Sequence, residues 1–86
     1  MLEKVETKVD VATISRKGVG VDVPIKMQWR NKTYQINKIG LRHPLREGRV
    51  LYHIFECSDG NLDFRLRYNT ETLQWTLESI TDGLPS

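Results

Sequence analysis

The chain has 86 residues, 38% hydrophobic and 28% charged, with a formal net charge of +2, which makes one domain with a single modest core and leaves too little material for two. Its one cysteine, Cys57, excludes an intramolecular disulfide and a cysteine-based zinc cluster. No segment has the apolar length of a membrane helix and Met1-Leu2-Glu3-Lys4 lacks the apolar run of a secretory signal, so a soluble, cytoplasmic protein with about 4–13 kcal/mol of stability is expected.

Charge is unevenly placed along the chain. Residues 1–23 are neutral, residues 24–53 carry seven cations against Glu47 alone (net +6), and residues 54–86 are net −4. Polarity of this kind can mark an anionic partner, or basic and acidic strands of a small barrel lie side by side and neutralise one another.

In residues 2–16, Val5, Thr7, Val9, Val11 and Thr13 alternate with mostly charged residues, and the β-branched content favours a strand or a partly ordered arm. A helix stays open, since Leu2, Val5, Val9 and Ala12 also form a stripe at helical spacing. Lys17-Gly18-Val19-Gly20 is a flexible connection. From Val19 to Trp29 every odd residue is apolar, a long strand signature. Gly20 and Pro24 on the other phase make its first half an edge or a bend, leaving residues 25–30 as regular strand.

Asn31-Lys32 is expected as a two-residue turn that sets Trp29 against Tyr34 and Met27 against Ile36. After Ile36 the apolar phase slips by one, to Ile39 and Leu41, which predicts a β-bulge near Asn37-Lys38 and the bend a small barrel needs. Residues 42–48 read as a basic loop.

Residues 49–81 read as a β-meander. Asp59-Gly60 is expected at the centre of a type I′ hairpin loop, pairing Cys57 with Leu62, Phe55 with Phe64, His53 with Leu66 and Leu51 with Tyr68. Leu62, Phe64, Leu66 and Tyr68 alternate with polar residues, the period of a half-buried strand. A four-residue loop over 69–72 then pairs Tyr68 with Leu73, Leu66 with Trp75 and Phe64 with Leu77. Together these elements predict an all-β, small single domain: an antiparallel meander of five to six strands over residues 19–82, curled or closed into an SH3-like small barrel. Residues 1–18 form the strand or arm before it and residues 83–86 a tail.

The order Trp29, Thr33-Tyr34-Gln35-Ile36, Phe64-Arg65-Leu66-Arg67-Tyr68 and Trp75-Thr76-Leu77-Glu78 resembles small uncharacterised bacterial all-β domains with a Trp, a Tyr and a closing Trp-x-Leu. The resemblance covers residues 25–81. It implies a compact antiparallel fold and no agreed activity, so no functional residues carry over from it.

Equipment for catalysis is not visible. Cys57 on a core face behaves as a small hydrophobe, and His53 reads as a core or rim histidine. With His43 it would make at most a two-histidine metal site without carboxylate or thiol at ligand spacing. Gly18-Val19-Gly20 lacks the third glycine and the following helix of a phosphate loop. The expected protein is therefore not an enzyme, uses no metal or cofactor, and has no membrane partner and no evident small-molecule substrate.

The candidate surface is the second face of the meander. The expected register sets Tyr52 against Arg67, Ile54 against Arg65 and Val50 against Asn69: an aromatic and aliphatic patch fringed by two guanidinium groups. It is either a binding face, of a composition that recurs where partners dock, or the covered or inner wall of a barrel. The leading expectation is a binding module for another protein or a second copy of itself. Its rival binds RNA or single-stranded DNA through Lys26, Arg30, Lys32, Arg42, Arg46, Arg65 and Arg67.

Overall fold

In a computed structural model of the chain, residues 2–15 and 22–82 are described; the expected connection Lys17-Gly18-Val19-Gly20 and the expected tail over 83–86 lie outside them. They form β1 (Leu2–Ser15), β2 (Asp22–Trp29), β3 (Lys32–Gln35), β4 (Lys38–Glu47), β5 (Val50–Ser58), β6 (Asp63–Asn69) and β7 (Gln74–Thr81), with no helix among the described residues. The strands make one antiparallel sheet in the order β3-β2-β1-β7-β6-β5-β4. The expectation of five to six strands thus becomes seven.

β1 lies inside the sheet and serves two partners in succession. From Leu2↔Thr81 to Val9↔Trp75 it pairs with β7, and from Asp10↔Gln28 to Ser15↔Asp22 with β2. A strand that changes partner must bend, and β1 has irregularities between Lys4 and Thr7, where Glu6 has φ 50, and between Ala12 and Thr13. Pro24 pairs with Thr13 at the second of these, a bulge being where a sheet tolerates the missing proline N–H.

The sheet curls until its two ends meet. The consecutive amides of Ile36 and Asn37 donate to the carbonyls of Ile25 in β2 and Ser58 in β5, both at 2.9 Å, although β1, β7 and β6 separate those strands in the sheet. The Tyr34 and Phe64 rings pack edge to face at 5.4 Å, joining β3 to β6 across the concave side. The sheet is nevertheless open, because β3 and β4 are its edges and share no ladder; the closed barrel is not formed. Met27, Tyr34, Phe55, Cys57, Phe64, Leu66, Trp75, Leu77 and Ile80 form the concave core, with Val5, Val9, Val11 and Trp29 packed against it.

Three expected hairpin registers are each displaced by two residues. Met27 pairs with Tyr34, Phe55 with Leu66 and Leu66 with Leu77. The β2–β3 turn is Arg30-Asn31, with φ 54 and 61, positive at both central positions as a type I′ turn requires. The other two loops have four residues, each built on an acceptor side chain. Asp59 Oδ1 accepts from the amides of Asn61 and Leu62, and Asn69 Oδ1 from those of Glu71 and Thr72. Of the Asp59-Gly60 pair only Gly60 has positive φ, at 95, so the loop there is not type I′. An even displacement leaves every side chain on its face, which is why the core survives the wrong pairings.

The phase change after Ile36 is a break between strands, β3 ending at Gln35 and β4 starting at Lys38, rather than a bulge at Asn37-Lys38. A bulge does occur further on, between Ile39 and Leu41. It sets Ile39 against Cys57 on the concave side and Leu41 against Glu56 on the convex side. Residues 42–47, expected as loop, belong to β4, and Gly48 with φ 60 begins the two-residue turn into β5. Pro44 fits there because β4 is an edge.

Candidate binding face

The convex face of β4, β5 and β6 carries the patch. Ile54 is fully buried between His43 on β4 and Arg67 on β6. Tyr52 is half-buried, opposite Leu45 and Asn69 rather than Arg67. The Arg67 guanidinium nevertheless reaches it diagonally, with its carbon 5.3 Å from the Tyr52 ring centroid. Leu41, 51% exposed, and the half-buried Leu45 extend the apolar surface along the edge strand. Beside them a cavity of about 640 Å³ is bordered by Leu2, Leu41, Glu56, Arg65 and Ser79.

Both arginines are engaged by carboxylates. Arg65 donates from Nη1 to Glu56 and from Nε to Glu78, each at 2.8 Å. Arg67 donates from Nη1 to the second Glu78 oxygen at 2.8 Å and from Nη2 to Glu6 at 3.5 Å. Local irregularity explains this convergence. Between Leu66↔Leu77 and Arg65↔Ser79 the extra residue of β7 is Glu78, and the bulge in β1 that contains Glu6 lies opposite it. Two bulges side by side aim both carboxylates at the same pair of guanidinium groups. Glu78, only 14% exposed at its side chain, is the shared acceptor. Two cations against Glu6, Glu56 and Glu78 leave this network at net −1.

The carboxylates are what the sequence reading lacked. In the expected register Glu56 would stand against Asp63, whereas the displaced register puts Glu56 directly opposite Arg65. Had the side-chain-capped loop at Asp59 been recognised, this pair was legible. The positions of Glu6 and Glu78 depend on bulges for which the sequence has no signal.

The remaining predicted cations are not gathered at this face. Lys26 lies on the convex side of β2, beside the buried Met27. Arg30 is in the β2–β3 turn with its guanidinium 4.4 Å from the Trp29 ring, and the Lys32 ammonium is 5.4 Å from the Tyr34 ring. Arg42 and Arg46 pair with Phe55 and Leu51, which places them on the concave side of β4.

Among the described residues two groups have altered acidity. Burial, with Asp63 acting in the same direction, pushes the Cys57 thiol up to about 12; the thiol lies 3.9 Å from the Phe64 carbonyl. Burial and then the Arg42 charge lower His53 from its ordinary value. Among the described residues no three His, Cys, Asp or Glu side chains are grouped to hold a metal ion. No helix among them is long and apolar enough to cross a membrane. The chain matches no family model, and no curated protein or solved structure matches it.

Proposed function

We propose that this domain is a non-enzymatic interaction module that docks another protein, or a second copy of itself, through the convex face of β4, β5 and β6. In this reading the curled sheet works as a small SH3-like barrel left unlaced between β3 and β4, and the single buried thiol suits a reducing cytoplasm. The observation that carries the proposal is the neutralisation of Arg65 and Arg67 by three carboxylates beside Tyr52, Leu41 and Leu45. A phosphate would have to displace those carboxylates. A protein surface can instead cover the aromatic and leucine side chains and leave the ion-pair network at its rim, where charges set orientation more than affinity.

Docking by strand addition at the edges is disfavoured. β4 has a bulge, Pro44 and the charges of Lys38, Arg42, Arg46 and Glu47, while β3 has only four residues; these are the features that blunt sheet edges. Contact through the face is left.

The rival reading, binding of RNA or single-stranded DNA, is supported by the basic and aromatic neighbours of the β2–β3 hairpin, Arg30 on Trp29 and Lys32 by Tyr34. Against it, the seven candidate cations are spread over both faces of the sheet. Light scattering over a concentration series, with capture of partners on the immobilised domain, tests the leading reading. A strict monomer that retains nothing counts against it. Titration with a single-stranded oligonucleotide at rising salt tests the rival, since affinity through several phosphates must fall steeply.

A further inference from the structure

A second surface, independent of the convex face, opens where the sheet parts. β1 leaves β7 at Val9↔Trp75 and takes β2 from Asp10↔Gln28 onward, while β7 begins only at Gln74. Cavities of about 400 and 380 Å³ lie at this parting, and Val11, Leu73 and Trp75 line both. These volumes fall within the range of small-molecule sites.

Leu73 is the unusual residue. It is 66% exposed and has φ 62, a left-handed conformation that disfavours residues other than Gly and, less often, Asn or Asp. The loop holds it there through the Leu73 amide, which donates to the Asn69 carbonyl at 2.8 Å, and through the amides capped by Asn69 Oδ1. The turn itself would be better served by glycine. A large apolar side chain kept in that place, exposed and standing between two cavities, points to a contact that the isolated fold does not use.

The charges bordering the first cavity define what would fill it. Lys8 and Arg30 line it, and neither is ion-paired among the described residues, in contrast to Arg65 and Arg67. Asp10 lines it too, leaving room for one negative charge and opposing a second. The other cavity is lined by His53, Tyr68 and Thr70 and by no carboxylate, Lys or Arg, with the Thr70 hydroxyl already donating to the Leu51 carbonyl at 2.7 Å; such a lining suits a neutral body.

We infer that this cleft binds a small amphiphilic monoanion, its aromatic or aliphatic body against Leu73, Trp75 and Val11 and its acidic group held by Arg30 and Lys8. An oligonucleotide does not fit the same chemistry, because successive phosphates would meet Asp10 with only two cations to hold them.

The test is an NMR titration of the whole chain with anilinonaphthalene sulfonate and with its uncharged relative phenylnaphthylamine. The expected result is saturable shifts centred on Val11, Leu73 and Trp75, with the anion bound about fivefold or more tighter, a difference of about 1 kcal/mol. Arg30→Gln combined with Lys8→Gln should abolish that preference. Leu73→Gly should melt no lower than the parent yet bind the anion about fivefold more weakly, with Leu73→Asn as a second variant if the first fails to fold. The inference is overturned by shifts that do not saturate or centre on the convex face. It is equally overturned by equal binding of the two probes in the parent, by unimpaired binding in folded Leu73 variants, or by a thymidine decamer competing more strongly than the sulfonate.

Discussion

If the sheet curls as described, Tyr34 and Phe64 should be energetically coupled, and a double-mutant cycle measures this directly. In a flat sheet β3 and β6 would be four strand spacings apart, about 19 Å at about 4.8 Å each, too far for any contact. In the structure the rings are 5.4 Å apart in edge-to-face geometry, with Phe64 2% and Tyr34 9% exposed. Phe64→Ala removes a fully packed ring and should destabilise by about 3–5 kcal/mol, a large part of the about 4–13 kcal/mol expected for the whole domain. Phe64→Leu and Tyr34→Leu are milder and keep the core filled, so they suit the cycle better. The coupling should be about 0.5–1.5 kcal/mol, the part of an aromatic pair that exceeds its buried area. Urea unfolding followed by tryptophan fluorescence, with the slope held constant across the four proteins, supplies the free energies. Additive single variants, within about 0.3 kcal/mol, would refute the closure of β3 over β6.

Glu78→Gln keeps one acceptor oxygen but turns the other into an amide donor facing a partly buried guanidinium, and should destabilise by about 1–3 kcal/mol; an unchanged urea midpoint would show that the network is ornamental to the fold. Gly60→Val forces a β-branched residue to φ 95 and should lower stability by about 1–3 kcal/mol, whereas an unperturbed melting curve would mean that the loop relaxes to another geometry. Cys57 stays protonated in the fold while its unfolded counterpart ionises near 8.5, so its contribution is intact below that pH and is lost as pH rises toward about 12. Between pH 8.5 and 9.5 the parent should therefore lose stability more steeply than Cys57→Ala, by at most about 1.4 kcal/mol per pH unit. Parallel slopes would contradict the buried, neutral thiol.

Much of the fold was legible because strand periodicity is robust to errors of an even number of residues. Phe55, Cys57, Phe64, Leu66, Trp75 and Leu77 are core residues although the expected turns set each against a neighbour two residues away from its true one. The errors arose where side chains, not dipeptide preferences, decide the turn: Asp59 caps two amides and lengthens its loop from two residues to four, while Asn69 caps two amides and shifts its four-residue loop on by one. β4 was obscured by Pro44 and its charges, which suit an edge strand but read as loop. The parting of β1 between two partners, and the bulges at Glu6 and Glu78, come from three-dimensional closure and have no local signature. For the candidate face, Tyr52, Ile54, Arg65 and Arg67 share one side as their alternation implied, while the carboxylates that neutralise the arginines required the true register.

Whether the convex face docks a protein through its apolar residues, as proposed, or through its charges is decided by quantitative affinity capture with the parent, a Tyr52→Ala, Leu41→Ser variant and an Arg65→Gln, Arg67→Gln variant, each first shown to be folded. The parent should retain at least one stoichiometric protein partner or a second copy of the chain. The Tyr52 and Leu41 variant should lose it by about tenfold or more, and the arginine variant by less. Equal retention by parent and Tyr52 variant, or a larger loss in the arginine variant together with bound nucleic acid, would contradict docking through the apolar residues.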